Sequence, residues 1–366
     1  MARPGACGWA HVSHRSCSVS TSFRAIQWNR DKRIYDGILL AAITVYIAGF
    51  ILIGAWRSPP PDNLAWIDLR IRAFGSCSFL MLTAILSIGP LARLDRRFLK
   101  PLYNRRHFGV LAFLVALAHA LFMIEWYIAR GALADLPAEL ANWPDYARFI
   151  GFPFKVLGLA ALLILFLMAA TSHDYWLSVL TPPVWKVLHM AVYLAFGLVV
   201  LHVALGVVQF DTSLRPGIMV GAGFVLVTAL HLLAGWRERR LDRGTAATRK
   251  GWLVVGPPKS ISDKGARIVA AAGGERIAVF RDGRQIGAVS NLCAHQNGPL
   301  GEGRIVGGCI TCPWHGYQYR LADGCAPPPF TEKLATYRVR LKRGIPEVDP
   351  RPLPPGTPAA IECDVG

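Results

Sequence analysis

Between Asn291 and Gly316 the chain reads NLCAHQNGPLGEGRIVGGCITCPWHG. Cys293 and His295 form a C-x-H pair and Cys312 and His315 a C-x-x-H pair, with sixteen residues between the two pairs. Two thiolates and two imidazoles make a complete ligand set. A closed tetrahedral zinc site would place all four on one ion, each pair gripping it from a rigid loop. A two-iron, two-sulfide centre would use them differently, with both cysteines on one iron and both histidines on the other, so that each loop supplies one of each type. The alternation within each pair favours the second arrangement. So do the Gly-containing stretches that follow, NGPLGEG and GYQY, which bring backbone amides close to a bound centre.

A second group of chemistry-bearing residues lies in the most apolar part of the chain. His119, His189, His202 and His231 fall inside long hydrophobic runs, where an ionisable side chain is costly and is usually kept for function. A b-type haem takes axial imidazoles from two facing helices. His189 and His202 are thirteen residues apart, about 20 Å along an ideal helix, which would set two haems at different depths. They are also roughly 140° apart around that helix, so a shared face requires a local irregularity. His119, midway along its own run, is placed to partner His202. His107, in RRHFGV, lies at the depth that would complete a cytoplasmic haem with His189, and His231 is a competing partner. Arg105 and Arg106 could pair with haem propionates, although membrane topology accounts for them without a ligand.

The elements that must hold these residues follow from composition. Of 366 residues, 53% are hydrophobic and 17% charged, well off the average of a soluble domain. The apolar excess sits between Ile34 and Trp236, in six stretches near the roughly 20 residues needed to cross a bilayer: Tyr35–Trp56, Phe74–Leu94, Phe108–Ala129, Phe154–Ala170, Val184–Val208 and Pro216–Trp236. The net charge of +17 is concentrated at Arg24–Arg33, Arg93–Arg106 and Arg237–Lys250. These clusters are not interleaved with stacking aromatics, which argues against nucleic acid as a partner. They alternate with acidic or neutral loops, so the positive-inside rule places both termini in the cytoplasm of a multi-pass inner-membrane protein. Cys7, Cys17, Cys77 and Cys363 are scattered, not paired as in a disulfide scaffold. No signal peptide is legible before the first span.

After the sixth span the pattern shortens. RIVAAAG, RIAVFRDGRQIGAVS and YRVRLKRGIPEV alternate as strands do, with Asp282-Gly283 at a hairpin position. The expected chain is therefore multidomain: residues 1–33 a disordered cytoplasmic leader, 34–236 a six-helix transmembrane bundle, 237–250 a basic linker, 251–350 a small all-β domain, and 351–366 a Pro-rich tail.

CAHQNGPLGEG followed by GGCITCPWHGYQY resembles the Rieske [2Fe-2S] ferredoxin-type domain. The resemblance implies that Cys293, His295, Cys312 and His315 bind the cluster. Respiratory members add a disulfide between the cluster loops, at places that here hold Gly298 and Trp314, so the module resembles the disulfide-free ferredoxin and oxygenase type. Cys309 and Cys325 then pack the domain. Tyr317 and Tyr319 stand where respiratory members carry a Ser and a Tyr beside the sulfurs, which implies a potential nearer the low, ferredoxin end. The membrane region, through RRHFGVLAFLVALAHA, TSHDYWLSVLTPPVWKVLHMAVYLA and VLHVAL, resembles the ferric reductase-like transmembrane family and the haem-bearing membrane subunits of methionine sulfoxide reductases. Family ligand positions fall on His119, His189 and His202, implying one or two b haems. The flavin and nicotinamide domains of other members are not seen after the sixth span, so a soluble reductase or ferredoxin must serve the cluster. A quinone or an extracytoplasmic redox partner is then expected at the other end. The expected function is that of a membrane oxidoreductase component passing electrons; the alternative is a redox sensor without turnover.

Overall fold

The computed structural model describes residues 30–98, 101, 105–142, 146, 152–172, 176, 180, 182–210, 215–243, 247–271, 275–294, 298–313, 317–327 and 330–363. The chain divides into two compact units between Leu241 and Asp242.

The first unit is helical: α1 (Arg30–Arg57), α2 (Asn63–Leu94), α3 (Arg105–Ala129), α4 (Asp135–Ala141), α5 (Lys155–Ala170), α6 (Pro182–Met190), α7 (Val192–Phe210) and α8 (Arg215–Arg243). The three prolines after Arg57 end α1, and Asp62 opens α2 by accepting from the Ala65 backbone N–H at 2.8 Å. Among the described residues, five helical stretches are long and apolar enough to cross a membrane: Arg33–Arg57, Asn63–Leu94, Arg105–Ala129, Val187–Gly206 and Arg215–Arg237. A shorter apolar helix, α5, the fourth of the six expected stretches, has 16 residues, about 24 Å at 1.5 Å per residue, against a hydrocarbon layer of about 30 Å.

Outward-facing positions are apolar. Val45, Leu52, Ile218 and Leu232 are each at least 65% exposed, a distribution that water would penalise and lipid accepts. Inside, α2 packs along α3 and α5 along α7. The core gathers Phe79, Leu82 and Leu86 of α2, Leu165 of α5 and Phe196 of α7, with Phe79 and Phe196 stacked at 5.9 Å. The fifth apolar stretch is interrupted at Ala191, where α6 gives way to α7 and the Ala191 N–H bonds to Leu188 three residues back. That irregularity lies between His189 and His202, where the angular offset called for one.

The second unit is all-β. Strands β1 (Thr248–Arg249), β2 (Trp252–Val254), β3 (Ala266–Ala270), β4 (Arg276–Asp282), β5 (Gln285–Ser290), β9 (Thr336–Lys342) and β10 (Ile345–Pro352) form one antiparallel sheet in the order β1-β2-β10-β9-β5-β4-β3. Strands β6 (Arg304–Val306), β7 (Cys309–Thr311) and β8 (Gln318–Arg320) form a second sheet. Gly307 and Gly308 join β6 to β7 with φ of 60° and 79°, the handedness a two-residue hairpin turn requires. The last stretch differs from the expected tail: β11 (Ile361–Glu362) pairs with β5, and Cys363 is buried in the domain core. The basic linker differs too, since α8 stays helical through Arg243.

Candidate functional site: two metal-ligand clusters

The two cysteines occupy loops of matching construction. Cys293 follows β5, and its backbone N–H donates to the Gly298 carbonyl at 2.9 Å. Cys312 follows β7, and its N–H donates to the Tyr317 carbonyl at 2.8 Å. Each bond closes a loop over five residues. Asn291, almost fully buried, braces the first loop by accepting from the Gly301 N–H at 2.7 Å and from the Leu300 N–H at 2.8 Å. Gly303 lets the loops meet, for a β-carbon there would lie 2.2 Å from the Thr311 carbonyl oxygen.

Cys293 and Cys312 are buried in the same apolar cluster as Leu300, Ile310 and Tyr319, and both stand outside any disulfide. His295, His315 and Trp314 lie outside the described residues. Cys309 opens β7, three residues before Cys312, and is disulfide-bonded, which goes beyond the packing role expected of it, while Cys325 lies in the turn after β8. The buried phenol of Tyr319 lies 3.3 Å from the Cys293 sulfur. Tyr317 is turned elsewhere: its hydroxyl donates to Glu332, and burial and then that carboxylate push its pKa well above the ordinary phenol range. Two buried thiols in one apolar cluster fit ligation of iron or zinc alike; the family settles which.

In the helical unit the structure brings two of the histidines together. His119 of α3 and His202 of α7 have ring centroids 6.5 Å apart with planes at 84°. A metal held between two imidazoles at about 2 Å from each nitrogen sets the ring centres about 6 Å apart. Nδ1 of His119 is 2.9 Å from the Ile71 carbonyl oxygen and Nδ1 of His202 is 2.9 Å from the Phe154 carbonyl oxygen. A backbone carbonyl accepts only from N–H, so both rings are fixed in the tautomer that leaves Nε2 with its lone pair for a metal.

His189 is in a different cluster. Its ring stacks on Trp185 at 3.7 Å and its Nδ1 meets the Trp185 carbonyl at 2.9 Å. Its Nε2 is buried without a hydrogen-bond partner among the described residues. The Arg106 guanidinium lies 5.6 Å above the Trp185 ring. His107 has its Nδ1 2.8 Å from the Asp36 carboxylate of α1. His231 has both nitrogens engaged, by the Val227 carbonyl at 2.8 Å and the Tyr193 hydroxyl at 3.0 Å. Asp36, Gly75 and Gly158 were not singled out from sequence. A charged residue inside an apolar run signals the first.

These features define a multi-pass membrane protein for electron transfer, with an apolar helical unit and a β unit built to hold a metal centre. Residues 251–338 match the Rieske [2Fe-2S] domain family, and residues 72–200 match the ferric reductase like transmembrane component family. The chain belongs to both, as a fusion of the two, and its β unit is a [2Fe-2S] domain. The anthranilate 1,2-dioxygenase ferredoxin subunit of Burkholderia cepacia is 34% identical over 110 residues, which span 29% of this chain and 97% of that one. The protein-methionine-sulfoxide reductase heme-binding subunit MsrQ of Caulobacter vibrioides is 32% identical over 176 residues, 48% of this chain and 75% of that one. Its counterpart from Polaromonas naphthalenivorans is 26% identical over 191 residues, 51% of this chain and 77% of that one.

Proposed function

We propose that the chain passes electrons between a cytoplasmic [2Fe-2S] cluster, held by Cys293, His295, Cys312 and His315, and haem b held in the bundle by His119 and His202. The observation that carries this reading is the facing pair of imidazoles, each with Nδ1 committed to a carbonyl and Nε2 turned to metal duty. Both groups supply one-electron chemistry when bound. The residues do the rest. His119 and His202 hold the haem iron from two helices, and the surrounding apolar side chains keep water from it. Cys293 and Cys312 hold one iron of the cluster as thiolates, and the Tyr319 hydroxyl 3.3 Å from Cys293 favours the more negative, reduced state.

His189, with its buried and unpartnered Nε2, is the ligand position for a second haem, and His107 is its proposed companion. Arg/Lys-rich segments before the first span, between the second and third, and after the sixth, with the short α5 crossing as the fourth, support a cytoplasmic [2Fe-2S] domain on an inner-membrane protein. A soluble reductase or ferredoxin exchanges electrons with the cluster, and a quinone or an extracytoplasmic protein exchanges them with the haem. Membranes containing the protein should give both a reduced-minus-oxidised haem b spectrum and a Rieske-type EPR signal. Folded, cluster-loaded protein devoid of haem would refute the conduit.

A further inference from the structure

The two histidines of the facing pair are seated identically. His119 reaches back to the carbonyl of a residue 48 positions earlier, Ile71, and His202 to the carbonyl of a residue also 48 positions earlier, Phe154. Four residues after each carbonyl stands a glycine, Gly75 and Gly158. A β-carbon on Gly75 would lie 2.9 Å from Nδ1 of His119, and one on Gly158 would lie 2.9 Å from Nδ1 of His202.

Helix geometry explains the spacing. Each Cα–Cβ bond tilts toward the helix N-terminus, so the side chain at i+4 overhangs the carbonyl of residue i. That carbonyl is already engaged along the helix, as the Gly158 N–H to Phe154 contact at 3.4 Å illustrates. Its second lone pair can be reached from a neighbouring helix only where i+4 lacks a side chain. Other membrane glycines do not share this role: the β-carbon of Gly54 would meet Leu69 and that of Gly223 would meet Phe79, ordinary close packing.

The match extends along the partner helices. Leu111-Ala112-Phe113 precedes His119 by the same interval at which Leu194-Ala195-Phe196 precedes His202, so that LAF-x5-H occurs twice, and Ala112 and Ala195 are both buried. A basic residue, Arg72 in one copy and Lys155 in the other, lies three residues before each glycine. Every one of these pairs is offset by 83 residues, as from Ile71 to Phe154.

We infer that α2 with α3 and α5 with α7 are two copies of one imidazole-presenting helix pair, and that Gly75 and Gly158 are positioning residues, each baring the carbonyl that holds a ligand histidine in its metal-binding tautomer. The inference rests on the haem reading above and names what enforces it.

Gly75→Ala and Gly158→Ala should each weaken haem retention in the purified full chain by about tenfold or more, the range seen when support of a ligand histidine is lost. Haem that remains should move from low-spin toward high-spin. Gly89→Ala on α2 and Gly197→Ala on α7, whose β-carbons meet nothing within 4 Å, should keep haem content, spin state and midpoint potential, with the [2Fe-2S] signal of the same molecule as the loading standard. In the unaltered protein, the Nδ1 protons of both axial imidazoles should exchange slowly with deuterium by electron–nuclear double resonance, a readout that does not depend on any variant folding. Unchanged low-spin haem in both seat variants, an effect confined to one of them, or fast-exchanging imidazole protons would overturn the duplicated seat while leaving the haem reading intact. Wild-type protein with no haem, or a His119→Ala variant that keeps the whole low-spin haem complement of the wild type, would overturn the haem reading and the seat with it.

Discussion

Replacement of Tyr319 by Phe removes one atom, the hydroxyl 3.3 Å from the Cys293 sulfur. The ring is fully buried in the apolar cluster around the ligand loops, so Phe keeps the packing and takes away the hydrogen bond. With Cys293 ligating iron as a thiolate, a donor at that distance stabilises the reduced cluster, which carries one more negative charge, more than the oxidised one. A single hydrogen bond of this kind is worth about 0.5–1.5 kcal/mol. For a one-electron couple, in which about 59 mV corresponds to about 1.4 kcal/mol, the midpoint potential should fall by about 20–60 mV. An EPR-monitored redox titration of the full chain reads this directly, with the haem potential as an internal control that should not move. A potential unchanged within about 10 mV, smaller than the weakest bond considered, or one that rises, would show that the hydroxyl does not donate to the cluster sulfur.

His202→Ala should abolish the haem signal of the facing pair while leaving the [2Fe-2S] signal, whereas His231→Ala, which removes a ring satisfied at both nitrogens, should leave both; optical spectra of purified protein separate them. Glu347 is fully buried between Arg340 at 2.6 Å and Arg249 at 3.8 Å, so Arg340→Met strands a buried carboxylate. It should destabilise the β unit by about 3 kcal/mol, measured as a drop of more than about 10 °C in the loss of the cluster signal on heating. Burial, and then its hydrogen bond to Glu275, raise the pKa of Tyr337 above the ordinary phenol range. The folded state then keeps a proton that the unfolded chain loses above about pH 10, so stability should fall as pH rises beyond that value. Urea unfolding across that range should show a shallower fall in Tyr337→Phe, and an unchanged slope would remove Tyr337 as its source.

What the linear sequence determined by itself is the chemistry whose geometry is local. Cys293 and His295, like Cys312 and His315, are close in the sequence, so their spacing proposes a four-residue metal-ligand set, which the resemblance to the Rieske domain makes a two-iron one. Long apolar runs are likewise their own evidence for spans, because backbone polar groups in lipid must be satisfied within the segment. Only the tertiary structure decided which histidines meet. The packing of α3 on α7 brings His119 to His202, that of α8 on α7 gives His231 to Tyr193, and that of α3 on α1 turns His107 toward Asp36. A helical residue's partner depends on the azimuth and depth of another helix, which no local pattern encodes. The seats under His119 and His202 lie between these cases: Gly75 and Gly158 are plain in the sequence, but only the carbonyls they uncover give them meaning.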